Sequence, residues 1–382
     1  METCTAEFAR LASEAGGIKC DGSAFVTFTN PFGLHHWTMP LIEATLLAGS
    51  VACLIHALWW GRTHHDSSNL VMWGAGILAL LLIEPIAYFP QWFGLEEKMG
   101  LTFVHNQFSV QFLYNRLPLY IVAMYPVFGY LSYVLVQRTG VFERQRASVG
   151  AVCVAFVFHS LYEVIEFVGP QLRWWIWNYD IPTGQPTLGA TPYVNIQAFC
   201  IGIPLGMALA TRWIATKPDQ SGGRTAANIV LVSLATWPVM FLTGVPSFVL
   251  DLAGLSTERA RLIGTWLLVV FCAAVTLCAF VDAYRARVRG DVDLPAGIGE
   301  DRFALISVAI YLVVAMVTWI AAFPDFLKAR DGLTPGGDPI GSLPYGIFAL
   351  VASVALLVGA YAGSGSRVAA PAAEHVDVAV AT

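Results

Sequence analysis

The amino-acid sequence predicts an all-α membrane protein, a bundle of about nine transmembrane helices. Of its 382 residues, 57% are hydrophobic and only 12% are charged, and the mean hydropathy is +0.64. A soluble domain carries about 25% charged residues, so this composition indicates that lipid is the main solvent. Nine apolar stretches are long enough to cross a hydrocarbon core of about 30 Å, which takes about 20 residues of helix. Alternating segments of about ten residues, which form membrane β-barrels, do not occur.

The predicted helices follow one another with polar loops between them. They lie near 38–61, 70–92, 116–137, 148–168, 190–212, 227–253, 259–284, 303–324 and 343–363. Residues 1–37 are predicted to be an extracytoplasmic segment, which is expected to stay in the mature chain because no signal-peptide pattern precedes it. Residues 38–363 form the helical domain. Residues 364–382, rich in Gly, Ser and Ala, are predicted to be a disordered cytoplasmic tail.

The basic residues predict the orientation, because cytoplasmic loops retain Lys and Arg. Three loops on one side of the predicted bundle carry clusters of them: Arg138, Arg144 and Arg146; Arg212, Lys217 and Arg224; and Arg285, Arg287, Arg289 and Arg302. With Arg62 and Arg367, twelve of the 21 basic residues lie on that side. The N-terminus is therefore predicted to be outside and the C-terminus inside, in the cell membrane.

Prolines mark the predicted helices in a regular way. Four of the five inward-running helices begin with one: Pro40, Pro118, Pro192 and Pro344. Proline suits the first helical turn because its missing N–H would have had no partner there. The pattern suggests an internal duplication of residues 70–137 and 148–212. In the sixth helix, Pro238 and Pro246 each remove a backbone donor and are predicted to kink it.

The seven cysteines fall into two groups. Cys4 and Cys20 lie in the N-terminal segment, where a disulfide between them is predicted if the compartment is oxidising. The others lie inside predicted helices and are interpreted as small packing residues: Cys53, Cys153, Cys200, Cys272 and Cys278. No CxxC or Cys/His zinc spacing occurs. Neither a metal ion nor a cofactor is therefore expected.

Ionisable side chains inside the predicted helices give the main functional signal, because they are costly in a bilayer and usually face the bundle interior. They are Glu43, Glu84, His159, Glu163 and Glu166. At about 100° per residue, the last three share one face of the fourth helix. At 1.5 Å per residue, the first four lie roughly 6–14 Å below the outer ends of their helices. Glu84, His159, Glu163 and Glu166 are the candidate catalytic residues.

Other polar and aromatic residues belong to the same layer. The candidate ligand-binding residues are Glu43, His105, Asn106, Arg116, Trp175, Trp177 and Asn195. The tryptophans belong to an aromatic outer loop, which is typical of a membrane-interface belt. Alternatively, this loop is a lid over an apolar ligand.

A buried carboxylic acid can stay protonated at neutral pH and can protonate an alkene or stabilise a cation, with a histidine relaying the proton. Three other interpretations remain open for these groups. They could carry protons through a transporter, or lock helix packing as a hydrogen-bonded network. Arg116 could bind a lipid head group. Two carboxylates and an imidazole are acceptable metal ligands, but the usual second histidine is missing.

Several features occur in order between residues 80 and 209. Glu84 is followed by Tyr-Phe-Pro, then by Leu117-Pro118, Glu163 and Glu166, Trp175-x-Trp177 and Pro192-x-x-Asn195. In these features the stretch resembles the membrane-bound carotenoid hydratase family, whose members add water to carotenoid ends. His159-x-x-x-Glu163 is similar to the His/Glu helix of sterol-isomerase-type membrane proteins. Both resemblances imply an isoprenoid substrate. The last four helices have no counterpart.

The sequence thus favours an enzyme that modifies an isoprenoid or another lipid of the outer leaflet. Glu163 would be the acid, Glu84 the cation stabiliser and His159 the relay, while Arg116 and Asn195 would orient the substrate. A proton-coupled transporter or carrier and an accessory subunit of a membrane complex are the alternatives. The expected partner is a membrane lipid or another apolar small molecule. Nucleic acid is not expected, because no Lys/Arg-rich block occurs.

Overall fold

Nine helices in the described part of the chain are long and apolar enough to cross a membrane. The structure, a computed structural model, describes residues 3–16, 18, 22–291, 294 and 298–362. A short helix, α1 (Ala6–Ala15), precedes the membrane domain. The spans are α2 (Thr38–His64), α3 (Ser68–Tyr88), α4 (Leu119–Thr139), α5 (Ala147–Glu166), α6 (Tyr193–Ile214), α7 (Gly222–Leu252), α8 (Thr257–Arg289), α9 (Phe303–Phe326) and α10 (Leu343–Tyr361). The chain is a multi-pass membrane protein, and the predicted all-α fold class is confirmed.

The centre of the bundle is formed by α4 and α5. In their most apolar windows, 89% and 83% of the residues are buried, against 28–39% in α2 and α7 to α10. A helix that is apolar on every side is stable when other helices surround it. The predicted catalytic residues of α5 therefore lie inside the bundle, away from the surrounding lipid.

Prolines begin the inward-running helices in two ways. Pro40 and Pro344 lie in the first turn, as predicted. Pro118 and Pro192 instead precede the first helical residue, with extended backbone (ψ 145° and 137°). The difference arises because each of these two prolines ends a short strand before its helix begins.

Two of the spanning helices are irregular. Residues Ile196–Gly202 of α6 form a π-helix, in which the Ile203 amide donates to the Ala198 carbonyl five residues earlier. Pro204 follows directly, and a proline cannot donate to the carbonyl four residues before it. The other irregular helix is α7, which consists of Gly222–Leu242 and Val245–Leu252. It is interrupted beside Pro246, whereas Pro238 lies within the first piece.

Glycines allow α6 and α7 to approach each other closely. A Cβ atom at Gly206 would lie 2.9 Å from the Thr236 Cα, and one at Gly202 would lie 2.8 Å from the Met240 Cα. Small residues four apart are a common means of close helix packing in membranes.

Replacing Gly206 by alanine is expected to force the two helices apart and to lower the free energy of unfolding by about 1–3 kcal/mol. Thermal unfolding in detergent would measure the change. Gly223→Ala is the matched control, because nothing lies within 4 Å of a Cβ at that helical position. Equal melting temperatures for the two variants would contradict the packing argument.

The loops on one side of the bundle form a folded layer, here termed the cap: the described residues among 3–37, 89–118, 167–192 and 327–342. It contains seven short strands, which the sequence did not predict. They are β1 (Val26–Phe28), β2 (Phe103–His105), β3 (Val110–Phe112), β4 (Leu117–Pro118), β5 (Trp175–Trp177), β6 (Thr187–Leu188) and β7 (Thr191–Pro192). They pair antiparallel as β1-β3-β4, β2-β5 and β6-β7. Strands of two or three residues are too short to show an alternating pattern.

The β2-β5 pair has local two-fold symmetry. The Asn106 amide donates to the Trp174 carbonyl (2.9 Å), and the Asn178 amide donates to the Thr102 carbonyl (2.8 Å). The side-chain Nδ2 of Asn106 donates to the Arg173 carbonyl (2.7 Å), and that of Asn178 to the carbonyl of Leu101 (3.0 Å). Asn106 and Asn178 are 72 residues apart in the chain. The same separation holds for the backbone acceptors, Thr102 with Trp174 and Leu101 with Arg173. The backbone part of this symmetry is common to all antiparallel pairs, the matching asparagine side chains are specific to this one, and the duplication of 70–137 and 148–212 stays a prediction.

The structure tests the predictions for the cysteines only in part, and it does not test those for the tail and the orientation. Cys4 forms a disulfide, and the five cysteines of the helices are free. Its predicted partner Cys20 and the predicted tail 364–382 lie outside the described residues. The orientation stays a prediction, in which the cap is extracytoplasmic.

Candidate functional site

A small cavity lies where the cap meets the central helices. The space that the centre of a water molecule can occupy in it is about 20 Å³, which is enough for about one water. It is lined by Glu84, Phe103, His105, Ile121, Met124, Tyr125, Tyr162, Trp175, Trp177, Asn195 and Phe199. The lining thus includes five of the predicted site residues, drawn from four separate elements: α3, β2, β5 and α6.

Strand alternation explains how the cap contributes to the cavity. Successive side chains of a strand point to opposite faces. Phe103 and His105 of β2 line the cavity, whereas Val104 between them packs against α1. In β5, Trp175 and Trp177 line the cavity in the same way. The two tryptophans are buried and do not form an interfacial belt, so the structure favours the interpretation of this loop as a lining.

Glu84 is the one carboxyl group among the lining residues. It lies near the end of α3, is 3% exposed, and interacts with Tyr88, which is one turn further on. Within the described residues Glu84 makes no salt bridge, and its Oε2 accepts no hydrogen bond. An acid without a counter-charge in an apolar environment favours its neutral, proton-donating form.

His105 provides a neutral imidazole at the same cavity. Its Nδ1 lies 3.2 Å from the Tyr120 hydroxyl, and its ring is surrounded by the rings of Tyr88, Phe103 and Trp175. Burial lowers the pKa of His105 to about 3. The ring is therefore uncharged at neutral pH, and its unprotonated nitrogen is a weak base that only a strong acid can protonate.

A second cluster lies on α5 beside the cavity, without lining it. The His159 Nδ1 and the Glu163 Oε1 are 3.6 Å apart, and the His159 Nε2 is 2.6 Å from the Tyr345 hydroxyl of α10. Cys200 of α6 completes the cluster, because one ligand atom from each of His159, Glu163 and Cys200 lies within 4.8 Å of the others. The predicted sharing of one helix face by His159 and Glu163 holds, whereas Cys200 was interpreted as a packing residue.

Glu166 connects α5 to the cap. Its Oε1 accepts hydrogen bonds from the Trp177 Nε1 (3.2 Å) and the Thr191 Oγ1 (3.5 Å). The residue is fully buried but is not part of the cavity lining. Its contacts position Trp177, which is a lining residue.

Three predicted ligand-binding residues are buried in the same layer but contact the backbone of the cap. Glu43 accepts hydrogen bonds from the amides of Ser109 (3.2 Å) and Val110 (3.4 Å). Asn106 stabilises the β2-β5 pair, and Arg116 donates to the Thr3 carbonyl of the cap and to the Tyr88 carbonyl at the end of α3, the latter at 2.8 Å. Buried backbone groups need partners, and these side chains provide them. The described lining of the cavity does not include the three residues.

Another polar network, missed in the sequence, lies at the opposite end of the bundle. The His56 Nδ1 is 2.6 Å from the Tyr130 hydroxyl, and its Nε2 is 3.0 Å from the Asp301 carboxylate. Burial opposes ionisation of Asp301, but hydrogen bonds from His56 and the Phe303 amide hold its pKa below the usual value. These contacts join α2, α4 and the start of α9.

Comparison of the chain with family models, with curated proteins and with solved structures found no match. The resemblance of residues 80–209 to the carotenoid hydratase family stays a prediction from the sequence features. The site is therefore interpreted from its own chemistry: one uncompensated carboxyl and one neutral imidazole in an aromatic cavity, with a His-Glu-Cys cluster beside it.

Proposed function

We propose that this protein is a membrane enzyme that modifies an isoprenoid or another lipid, with the cavity around Glu84 as its reaction site. One observation supports the proposal above the others: Glu84 is a buried acid without a counter-charge, and six of the lining residues have aromatic rings. These are Phe103, Tyr125, Tyr162, Trp175, Trp177 and Phe199.

The chemistry follows from these groups. A protonated Glu84 can donate its proton to a carbon–carbon double bond, whose electron pair forms the new C–H bond. The neighbouring carbon then carries a positive charge, and electron-rich ring faces stabilise a cation by about 0.5–2 kcal/mol each. Loss of a proton to His105 or to the Glu84 carboxylate completes an isomerisation. Addition of water, with its proton passing to the same bases, completes a hydration.

Access to the cavity requires side-chain movement, since its volume suits about one water. Phe199 is the lining residue that is only partly buried. It lies about 9 Å along α6 from Tyr193, at a depth where the outside of the bundle faces acyl chains. Met124 has a flexible side chain that can adapt to a ligand. We propose that the reacting end of a lipid enters sideways past Phe199.

Glu84→Gln tests the proposal, because glutamine keeps the shape of the side chain but cannot donate an acidic proton. We expect untargeted mass spectrometry of lipid extracts to show a product in cells that produce the wild-type chain. With Glu84→Gln, that product should fall by about 100-fold or more, in line with the usual contribution of a general acid. The same analysis of lipids that co-purify with the protein identifies the substrate class.

Glu97→Gln is the matched control, because Glu97 is an exposed glutamate in the cap segment that follows α3. It should leave the lipid profile as in the wild type. Absence of any co-purified lipid, combined with an unchanged lipid profile for Glu84→Gln, would exclude the proposed activity. In that case, proton-coupled flux in proteoliposomes would support the transporter alternative, and a partner retained in mild detergent would support the accessory subunit.

A further inference from the structure

We propose that His159, Glu163 and Cys200 bind a divalent transition-metal ion of the zinc class. The ligands would be the Nδ1 of His159, a carboxylate oxygen of Glu163 and the Sγ of Cys200. Zinc lies about 2.0–2.3 Å from such atoms, so two ligands at a tetrahedral angle are about 3.3–3.8 Å apart. The His159 Nδ1 and the Glu163 Oε1 are 3.6 Å apart, and all three ligand atoms lie within 4.8 Å of one another.

Two atoms of this cluster are buried without a hydrogen-bond partner. They are the His159 Nδ1 and the Glu163 Oε1, on side chains that are 1% and 4% exposed. A buried polar atom without a partner is unfavourable, and here two such atoms face each other. A metal ion between them would satisfy both.

The types of the ligand atoms also fit zinc. An imidazole nitrogen, a carboxylate oxygen and a thiolate sulfur are all common zinc ligands, and three protein ligands leave a fourth position for water or substrate. Two negative ligands would neutralise the two charges of the ion. A neutral site avoids much of the cost of placing charge inside a bilayer. The sequence did not predict a metal site because a second histidine is missing, and Cys200 supplies the third ligand in its place.

Neighbouring residues hold the ligands as metal sites usually require. A metal-bound histidine normally donates its other ring N–H to a fixed acceptor. The His159 Nε2 lies 2.6 Å from the Tyr345 hydroxyl, which can accept such a bond. The Asn195 Nδ2 donates to the Cys200 Sγ at 3.7 Å, a contact that stabilises a thiolate.

The π-helix makes this arrangement possible. Five residues of a regular α-helix turn through about 500°, so Asn195 and Cys200 would point about 140° apart. In a π-helix, hydrogen bonding joins residues five apart and brings them onto one side. π-helical turns are frequent at functional sites. Asn195 also lines the Glu84 cavity, so it contacts both the cavity and the proposed metal ligands.

The metal content of the full-length chain tests this inference. The protein would be purified in mild detergent, freed of any affinity tag, incubated with Zn²⁺ and dialysed against metal-free buffer. We expect about one zinc per chain by mass spectrometry of the metal. Replacing zinc by Co²⁺ should produce a thiolate-to-cobalt charge-transfer band. Cys200→Ala and Glu163→Gln should each retain at least tenfold less zinc, and Cys200→Ala should lose the charge-transfer band.

Cys153→Ala is the matched control, because Cys153, like Cys200, is a buried and free cysteine, but it lies on α5 and is not one of the proposed ligands. It should keep both the zinc and the cobalt band. The inference is overturned if the wild-type chain retains less than about a tenth of an equivalent of zinc and shows no cobalt band, or if Cys200→Ala binds as much zinc as the wild type. Should Cys200→Ala fail to fold, the proposed metal site is tested by the cobalt band of the wild-type chain and by the zinc content of Glu163→Gln. Glu84 is not a ligand, so these results do not test the proposed lipid chemistry.

Discussion

Replacing Arg116 by methionine is expected to release α1 from the rest of the cap and to lower the free energy of unfolding by about 3–5 kcal/mol. The Arg116 guanidinium donates to the carbonyls of Tyr88 and Thr3 and lies between two rings, 3.7 Å from that of Phe8 and 4.5 Å from that of Phe89. Hydrogen bonds from charged groups contribute about 1.5–3 kcal/mol each, and a cation over a ring about 0.5–2 kcal/mol. Burial lowers the pKa of Arg116 to about 10, so the side chain remains a cation at neutral pH.

Thermal unfolding in detergent and limited proteolysis of the N-terminal segment would measure this effect. The Arg116→Met chain should melt at least about 5 °C lower and be cut faster before residue 37. Arg116→Lys should recover only part of the loss, because lysine lacks the planar fork of donors. Arg330→Met is the control, since Arg330 is an exposed arginine of the cap and such surface changes usually alter stability by less than about 0.5 kcal/mol. Arg116→Met with wild-type stability would show that this cation does not hold the cap.

The two symmetry-related asparagines are expected to make similar contributions to stability. Asn106→Leu leaves the carbonyls of Ala15 and Arg173 without a donor, and Asn178→Leu does the same to the carbonyl of Leu101. Each buried group left unsatisfied costs about 1–3 kcal/mol. We therefore expect each substitution to lower the free energy of unfolding by about 2–4 kcal/mol.

A double-mutant cycle would test whether β2 and β5 act as one unit. Once one asparagine is lost, the strand pair is already weakened, so the double variant should lose less than the sum of the single losses. Asn30→Ala, which removes a cap from an exposed turn, should cost less than either single variant. Strict additivity would indicate that the two strands contribute independently.

Hydropathy was sufficient to predict the membrane domain, because each span needs about 20 apolar residues and leaves a strong signal. The cap left no such signal. Its strands are two or three residues long, and they are defined by pairing between distant segments such as Phe103–His105 and Trp175–Trp177. Local sequence contains no information on such a pairing.

The depth of polar residues along their helices predicted part of the candidate site. Glu84 and Asn195 do reach one cavity, together with His105 and the two tryptophans. Depth does not determine direction, however, and Glu43 and Arg116 instead bond backbone groups of the cap, the amide of Ser109 and the carbonyl of Thr3. Cys200 was missed for a different reason. Regular α-helical spacing separates it from Asn195, and only the π-helix brings the two together.

The contact between His159 and Tyr345 has a consequence for biosynthesis. α5 enters the membrane well before α10, which follows it in the chain and carries Tyr345. Until α10 is inserted, the polar groups of α5 lack part of their final surroundings, and an ionised side chain at the centre of a lone helix costs about 2.5–3.5 kcal/mol. Assembly of this region therefore has to wait until α10 has been synthesised, and a chain truncated before residue 343 would leave His159 without the Tyr345 hydroxyl.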